Sequence, residues 1–373
     1  MVFHARDSLL QINRTWALVA LFIFSRLVFA LLGGWWQGDS VSAFCQWDCH
    51  WYIGIVQQGY FTPDEVLANG RSNWAYFPLY PLLARGLVSI TGLSAFWSLW
   101  LIANTAALLA LLVLLRYLRM TRSVVSPWLV ASLFCLGPYS FYLASGYSEA
   151  LFALLLLGSA LSWQRGRTLA AGGFGMFLSA SRVVGVAWAV GLLAQWLWQR
   201  HHRQQTPRWF IALAALALCP LGLLGYMLYL WIHVGDPLAF LHVQAAWGRT
   251  LQWPIETLLG GFRNGIEHPG QQGGRVALYE VSAGVVGLLL ALWLLHRGRV
   301  AEGVAASVML LIPLATGLES LPRYLVGIPF MLLAVHDGLM RIPVVWRWLM
   351  VLALIALNLW LLAGWSAGAE WLK

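Results

Sequence analysis

The stretch FCQWDCHWYIGIVQQGY, residues 44–60, sets one aspartate among aromatic rings directly after the first long apolar run. In a chain that is only 10% charged, a carboxylate at that point is a candidate for proton transfer: as a general base, Asp48 would take the proton of an attacking hydroxyl. Trp47, Trp51, Tyr52 and Tyr60 suit a membrane–water boundary, where an apolar ring carries a polar edge.

Three further charges stand out. Glu149, in ASGYSEALFALLLLGS, lies just inside the outer end of an apolar run, and Arg182, in LSASRVVGVAW, falls at the same depth on another helix. Two readings stay open: an ion pair that joins the helices, or two walls of an outward cavity for a charged ligand. Arg323, in SLPRYLVGIPF, is either a headgroup anchor or a phosphate ligand, for which a planar, permanently charged guanidinium is suited. Arg71, Arg249, Arg263 and Arg275 fall on the same side, and this surplus suggests an anionic ligand. HVGDPLAFLHVQAAWGR adds Asp236 and His242. His50, His233, His242 and His268 show no tight pairing such as HxxxH, so no metal and no other cofactor is expected. Without GxxxxGK[ST], a helix-opening GxGxxG or GxSxG, nucleotide binding and serine hydrolysis lack support. Transfer of a sugar from a lipid phosphate to a hydroxyl would use all three features present: the carboxylate takes a proton, an arginine steadies the departing phosphate, and rings pack on sugar and lipid.

The elements that must position these groups are membrane helices. The chain is 60% hydrophobic with 23 Trp and a mean hydropathy of +0.72, and apolar stretches long enough to span recur along it. Spans are expected at about 16–36, 96–115, 126–143, 147–163, 168–181, 183–198, 209–232, 276–295, 301–318, 324–340 and 344–365, about eleven in all. The first is read as retained, because it is long enough to cross and no small-residue cleavage site follows. With the N-terminus inside, the clusters Arg116/Arg119/Arg122, Arg165/Arg167, Arg200/Arg203/Arg208, Arg297/Arg299 and Arg341/Arg347 all fall on the cytoplasmic side. That pattern explains the net charge of +9 without nucleic acid. Residues 76–92 are expected to lie on the surface or re-enter, interrupted by Pro78, Pro81 and Arg85. The outer face carries the two long connections, 37–95 and 233–275, which read as packed loops of one transmembrane domain, 1–373. Cys45 and Cys49 flank Asp48 there, and their spacing leaves open whether they pair. Cys135 and Cys219 read as core packing.

WDCHWYIGIVQQGY resembles the first-loop motif of the phosphatidylinositol-glycan class V family, the enzymes that add the second mannose to GPI precursors, and AYFPLYPLLARGL resembles the block that follows. YLASGYSEALFALLLLGSAL, SASRVVGVAW, GDPLAFLHVQAAWGR and SLPRYLVGIPF are similar to later blocks in the same order. The resemblance implies an all-α, polytopic GT-C-like fold with juxtamembrane helices in the first long loop. It also implies an inverting transfer, of mannose by resemblance, from a polyprenyl-phosphate sugar, with Asp48 as catalytic acid–base residue. The expected donor-phosphate ligands are Arg323 and Arg182. The expected substrate-binding set is Trp47, His50, Tyr52, Tyr80, Tyr147, Glu149, Asp236 and Tyr324. Partners would be the donor, a lipid or glycan acceptor and membrane lipids. The Arg-rich inner loops and short connections look bacterial, so the plasma membrane with an outward active site is expected and the acceptor is not carried over. A lipid or glycolipid flippase, or a non-catalytic glycolipid-binding subunit, is the alternative. The heavy outer loop after the first span has no counterpart later in the chain, against the paired halves of a transporter.

Overall fold

The structure is a computed structural model, and it describes residues 2–38, 43–69, 71–121 and 125–372; Arg122 of the inner clusters and the side chains of residues 2–14 lie outside the described set. Among the described residues every regular element is helical. Among the described residues five helices are long and apolar enough to cross a membrane: Thr15–Trp35 within the first helix, Ala95–Thr121, Trp209–Val234, Gln272–His296 and Val344–Ser366. Six apolar helices are shorter, among them Pro127–Leu136, Glu149–Gln164, Thr168–Ser181 and Val300–Leu314.

Prolines account for several differences from the expected spans. The 126–143 run is a helix Pro127–Leu136 that ends before Pro138 and continues as a 3-10 turn, Ser140–Leu143. The 324–340 run is two helices, Leu321–Gly327 and Phe330–Leu339, divided at Pro329, and Pro220 divides Trp209–Leu218 from Leu221–Val234. A proline cannot donate to the preceding turn, so each marks a place where the backbone is released. In residues 76–92 the same residue has the opposite effect: Pro78 caps the helix Leu79–Thr91 and Pro81 lies in its first turn, where no intrahelical N–H is needed. The expected interruption is a single helix with Arg85 on its exposed face. The rest of the first long loop holds the helices Asp48–Gln58 and Pro63–Asn69.

Small residues allow close crossings that place the break at Arg182. A Cβ on Gly172 would stand 2.6 Å from the Ala215 carbonyl oxygen, and one on Gly175 would clash with the Cys219 sulfur. The helix Thr168–Ser181 therefore lies almost backbone to backbone on Trp209–Leu218, the contact that small residues permit in apolar surroundings. It ends at Arg182, whose φ of −159° is extended, and a 3-10 turn leads into Ala187–His201. This pair of short helices is the arrangement expected around Arg182.

Candidate active site

Asp48 opens the helix Asp48–Gln58, and this helix and the loop before it are held to the segment 144–149 by three contacts. The Gly146 N–H donates to the Phe44 carbonyl at 3.1 Å, the Tyr147 hydroxyl to the Gln46 carbonyl at 2.9 Å, and the Tyr52 hydroxyl to Ser148 Oγ at 3.0 Å. Cys45 and Cys49 form a disulfide around Trp47 and Asp48. Trp47 is held at φ +47°, a region that side-chain-bearing residues seldom adopt and that costs about 1–3 kcal/mol unless the surroundings impose it. Gly146 makes room for the bridge, since a Cβ there would stand 2.8 Å from Cys49 Sγ.

Both Asp48 oxygens are engaged. Oδ1 accepts from the Tyr76 hydroxyl at 3.0 Å, and Oδ2 from Arg323 Nη1 at 2.6 Å. Burial, and then the neighbouring Asp48 charge, push the Tyr76 hydroxyl well above its ordinary pKa, so Tyr76 stays protonated and acts as donor. Arg323 continues to Glu149, its Nε at 3.0 Å and Nη2 at 2.9 Å from Oε1, and Arg182 Nη1 donates to the same oxygen. The four groups form one line, Asp48–Arg323–Glu149–Arg182, of two carboxylates and two guanidiniums. Glu149 is 0% exposed and Arg323 6%, while Asp48 keeps 24% of its side chain open. Tyr147 lies under the Arg323 guanidinium at 4.6 Å and Tyr324 under that of Arg182 at 4.7 Å. The expected Glu149–Arg182 pair exists, and Arg323 shares its carboxylate.

A cavity of about 660 Å³ opens over this line. Asp48, Arg182, Arg323, Trp47, Tyr52 and Tyr324 line it, as do Arg71, Tyr76, Trp51, Trp247, Arg249 and Glu319. Not every expected substrate-binding residue reaches it. Tyr80 and Tyr147 are fully buried, Tyr80 spending its hydroxyl on the Leu99 carbonyl at 2.9 Å, and Glu149 lies behind the wall. His50 is exposed and does not line the cavity, because two residues along a helix turn it to the opposite side from Asp48. Asp236 also lies away from it: one oxygen accepts from the Leu238 N–H at 2.9 Å and the other lies 2.6 Å from His242 Nδ1. Burial raises the Asp236 pKa, but these hydrogen bonds outweigh it and hold the carboxyl below its ordinary value. Arg323 and Arg182, the expected phosphate ligands, already face carboxylates.

Sequence reading missed Tyr76 and Trp247 and took Trp51 only as a boundary ring. Trp51 stacks on Tyr76, with centroids 5.8 Å apart at 18°, and meets Trp247 edge-on at 6.0 Å, making an aromatic wall that runs away from Asp48. It also missed Glu280, whose carboxylate accepts from the backbone N–H of Ser320 and Leu321 at 3.3 and 3.1 Å and so anchors the turn before Arg323. Its signal was present, a carboxylate in the apolar run ALYEVSAGVVGLLL. Among the described residues no three His, Cys, Asp or Glu side chains gather as a metal would require.

Comparison with known proteins bears on the same region. Residues 35–219, which hold Asp48, Tyr76, Glu149 and Arg182, match the family model described as mannosyltransferase (PIG-V). The PIG-V resemblance is shown there. The match covers just under half of the chain. GPI alpha-1,6-mannosyltransferase 2 of Rattus norvegicus is 31% identical over 157 residues, which is 39% of this chain and 28% of the rat protein. The Homo sapiens protein of that name is 30% identical over 156 residues, 38% of this chain and 27% of its own length. The PIG-V-like chain thus aligns with less than a third of these relatives. Among solved structures, the Archaeoglobus fulgidus oligosaccharyltransferase complex with Zn and sulfate has a TM-score of 0.47 at 14% identity, covering 92% of this chain and 53% of that one. Archaeal oligosaccharyltransferase AglB from the same organism, in complex with an inhibitory peptide and a dolichol-phosphate, has a TM-score of 0.44 at 13% identity, with 96% and 56% covered.

Proposed function

We propose that this chain is an integral-membrane glycosyltransferase of GT-C type that moves a mannose from a polyprenyl phosphate to a hydroxyl of a lipid-linked or glycan acceptor on the outer face, with inversion. The observation that carries this reading is Asp48, presented to a cavity walled by arginines and aromatic rings, in the segment that matches the mannosyltransferase family.

The chemistry follows from the groups present. The acceptor oxygen forms a bond to the anomeric carbon while the bond from that carbon to the phosphate oxygen breaks, and the acceptor proton passes to Asp48. The polyprenyl phosphate leaves with the bonding electrons, and its charge is met by cavity guanidiniums already in place. Attack opposite to the leaving group inverts the centre. Tyr76 and Arg323 fix the direction in which Asp48 points, which shortens the search for a reactive geometry. The disulfide beside Asp48 fits an oxidising compartment, where lipid-borne sugars replace nucleotide sugars as donors.

The test uses membranes containing the full chain, supplied with labelled polyprenyl-phosphate mannose or labelled GDP-mannose. Label should pass from the lipid donor into an extractable product, with release of polyprenyl phosphate. Transfer from GDP-mannose alone would overturn the donor assignment, and movement of the labelled lipid across the membrane without transfer would favour a flippase.

A further inference from the structure

The arginines around the cavity fall into two classes according to what already holds them. Arg182 and Arg323 balance Asp48 and Glu149, two positive against two negative groups, so that set offers a ligand no net charge. All three nitrogens of the Arg323 guanidinium point at carboxylates, and the residue is 5% exposed. Turning it toward a phosphate would strand one or both acids in an interior that tolerates bare charge poorly.

Arg249 and Arg71 are placed differently. Arg249 Nη2 reaches the backbone carbonyl of Glu319 at 3.3 Å, but the Glu319 carboxylate is 3.9 Å away and 60% exposed, so water screens that pairing. Arg71 is exposed and makes no hydrogen bond or ion pair with the described residues. Both line the cavity. Against Glu319 they leave one net positive charge, which matches the single negative charge of a sugar phosphodiester. The wall of Trp247, Trp51 and Tyr76 leads from the Arg249 segment to Asp48, and a donor with its anomeric carbon over that wall would have its phosphate on the Arg249 side and the attacking hydroxyl, with Asp48 to take its proton, on the opposite side.

We infer that Arg249 and Arg71 grip the phosphate of the lipid donor, and that Arg323 is a positioning residue that aims Asp48. This assignment rests on transfer from a lipid phosphate as proposed above. It moves the phosphate from the arginines whose charge Asp48 and Glu149 cancel to the two whose charge Glu319 offsets only in part.

The probe is a short-chain polyprenyl monophosphate without sugar, titrated into the purified full-length protein in nanodiscs. Arg249→Ala and Arg71→Ala should each weaken its binding by about tenfold or more, with Arg249→Lys falling between, because a lysine keeps the charge but loses the planar fork. Glu319→Gln should tighten binding by about two- to threefold by removing the competing carboxylate, a gain that a folding defect cannot imitate. Arg323→Lys should bind the probe within about twofold of wild type while turnover falls and the pH–rate profile shifts, since the base is no longer held by the same contact. Wild-type affinity in both Arg249→Ala and Arg71→Ala, or a loss in Arg323→Lys as large as theirs, overturns the assignment. If the wild-type protein transfers sugar from the lipid donor and those two variants do so equally well, this inference falls and the proposed function stands. A wild-type protein that neither binds the probe nor uses the lipid donor removes both.

Discussion

Replacing Asp48 with Asn separates the chemistry from the scaffold. The amide has the size of the carboxylate, so its oxygen can keep the contact to Arg323 Nη1 at 2.6 Å, and its NH2 can donate to a Tyr76 hydroxyl that turns to accept. What disappears is the charge. Because 24% of the Asp48 side chain is open to solvent, exchanging a charged hydrogen bond for a neutral one should cost roughly 1–2 kcal/mol of stability. Turnover should respond far more. Loss of a general base is worth about two to four powers of ten, equivalent to about 3–5 kcal/mol of barrier. The two effects are read separately, by thermal unfolding of the purified variant and by the initial rate of sugar transfer from the lipid donor in membranes with matched amounts of protein. A variant that keeps more than about a tenth of the wild-type rate refutes the role of Asp48 as base.

The remaining expectations concern the frame around it. Glu149→Gln leaves Arg182 with no carboxylate partner and Arg323 with Asp48 alone and should destabilise the protein by about 3–5 kcal/mol, whereas Glu149→Gln with Arg182→Gln should recover part of that loss; equal unfolding midpoints in wild type and both variants would deny the network a structural role. Gly146→Ala pushes a methyl onto Cys49 Sγ and should cost about 1–3 kcal/mol and lower transfer, with wild-type unfolding and rate counting against the packing described. With native cysteines removed, single cysteines at Asp64 and Gln271 should react with an impermeant thiol reagent on intact cells and one at Gln204 should not. Labelling at Gln204 would put the Asp48 loop in the cytoplasm.

Some of this site was legible in the sequence because it is written locally. Asp48 beside the first span, and Glu149 and Arg182 in apolar runs, stand out by the energetic cost of charge at such positions. The same criterion applied to every apolar run would have raised Glu280, and also Arg26, which is buried beside Asn104 with Nε 2.8 Å from Oδ1. What could not be read was the sharing of Glu149 by Arg323, a residue 174 positions away, because the register between two broken helices depends on tertiary packing rather than on local pattern. The misplacement of His50 has a simpler cause: proximity in sequence was allowed to stand for proximity in space, although a helix sends neighbours two apart to opposite sides. Asp236 likewise answers to its own turn and to His242. At prolines 138 and 329 the apolar run continues but the hydrogen-bonded ladder does not, so the helices there are shorter than the expected spans, whereas Trp209–Val234 keeps the expected length across Pro220.

On the proposed outward side, the bridge between Cys45 and Cys49 would make the proposed base a late product of the protein's biogenesis. A chain still in a reducing cytosol carries two thiols at these positions, and the turn that holds Trp47 at φ +47° lacks its covalent clamp. On the proposed outward side the clamp closes only after the first loop has crossed the membrane and met an oxidant. Cells impaired in thiol oxidation would then accumulate inserted, full-length protein with an unset catalytic turn, and the supply of disulfides, rather than the rate of synthesis, would govern how much active transferase the membrane holds.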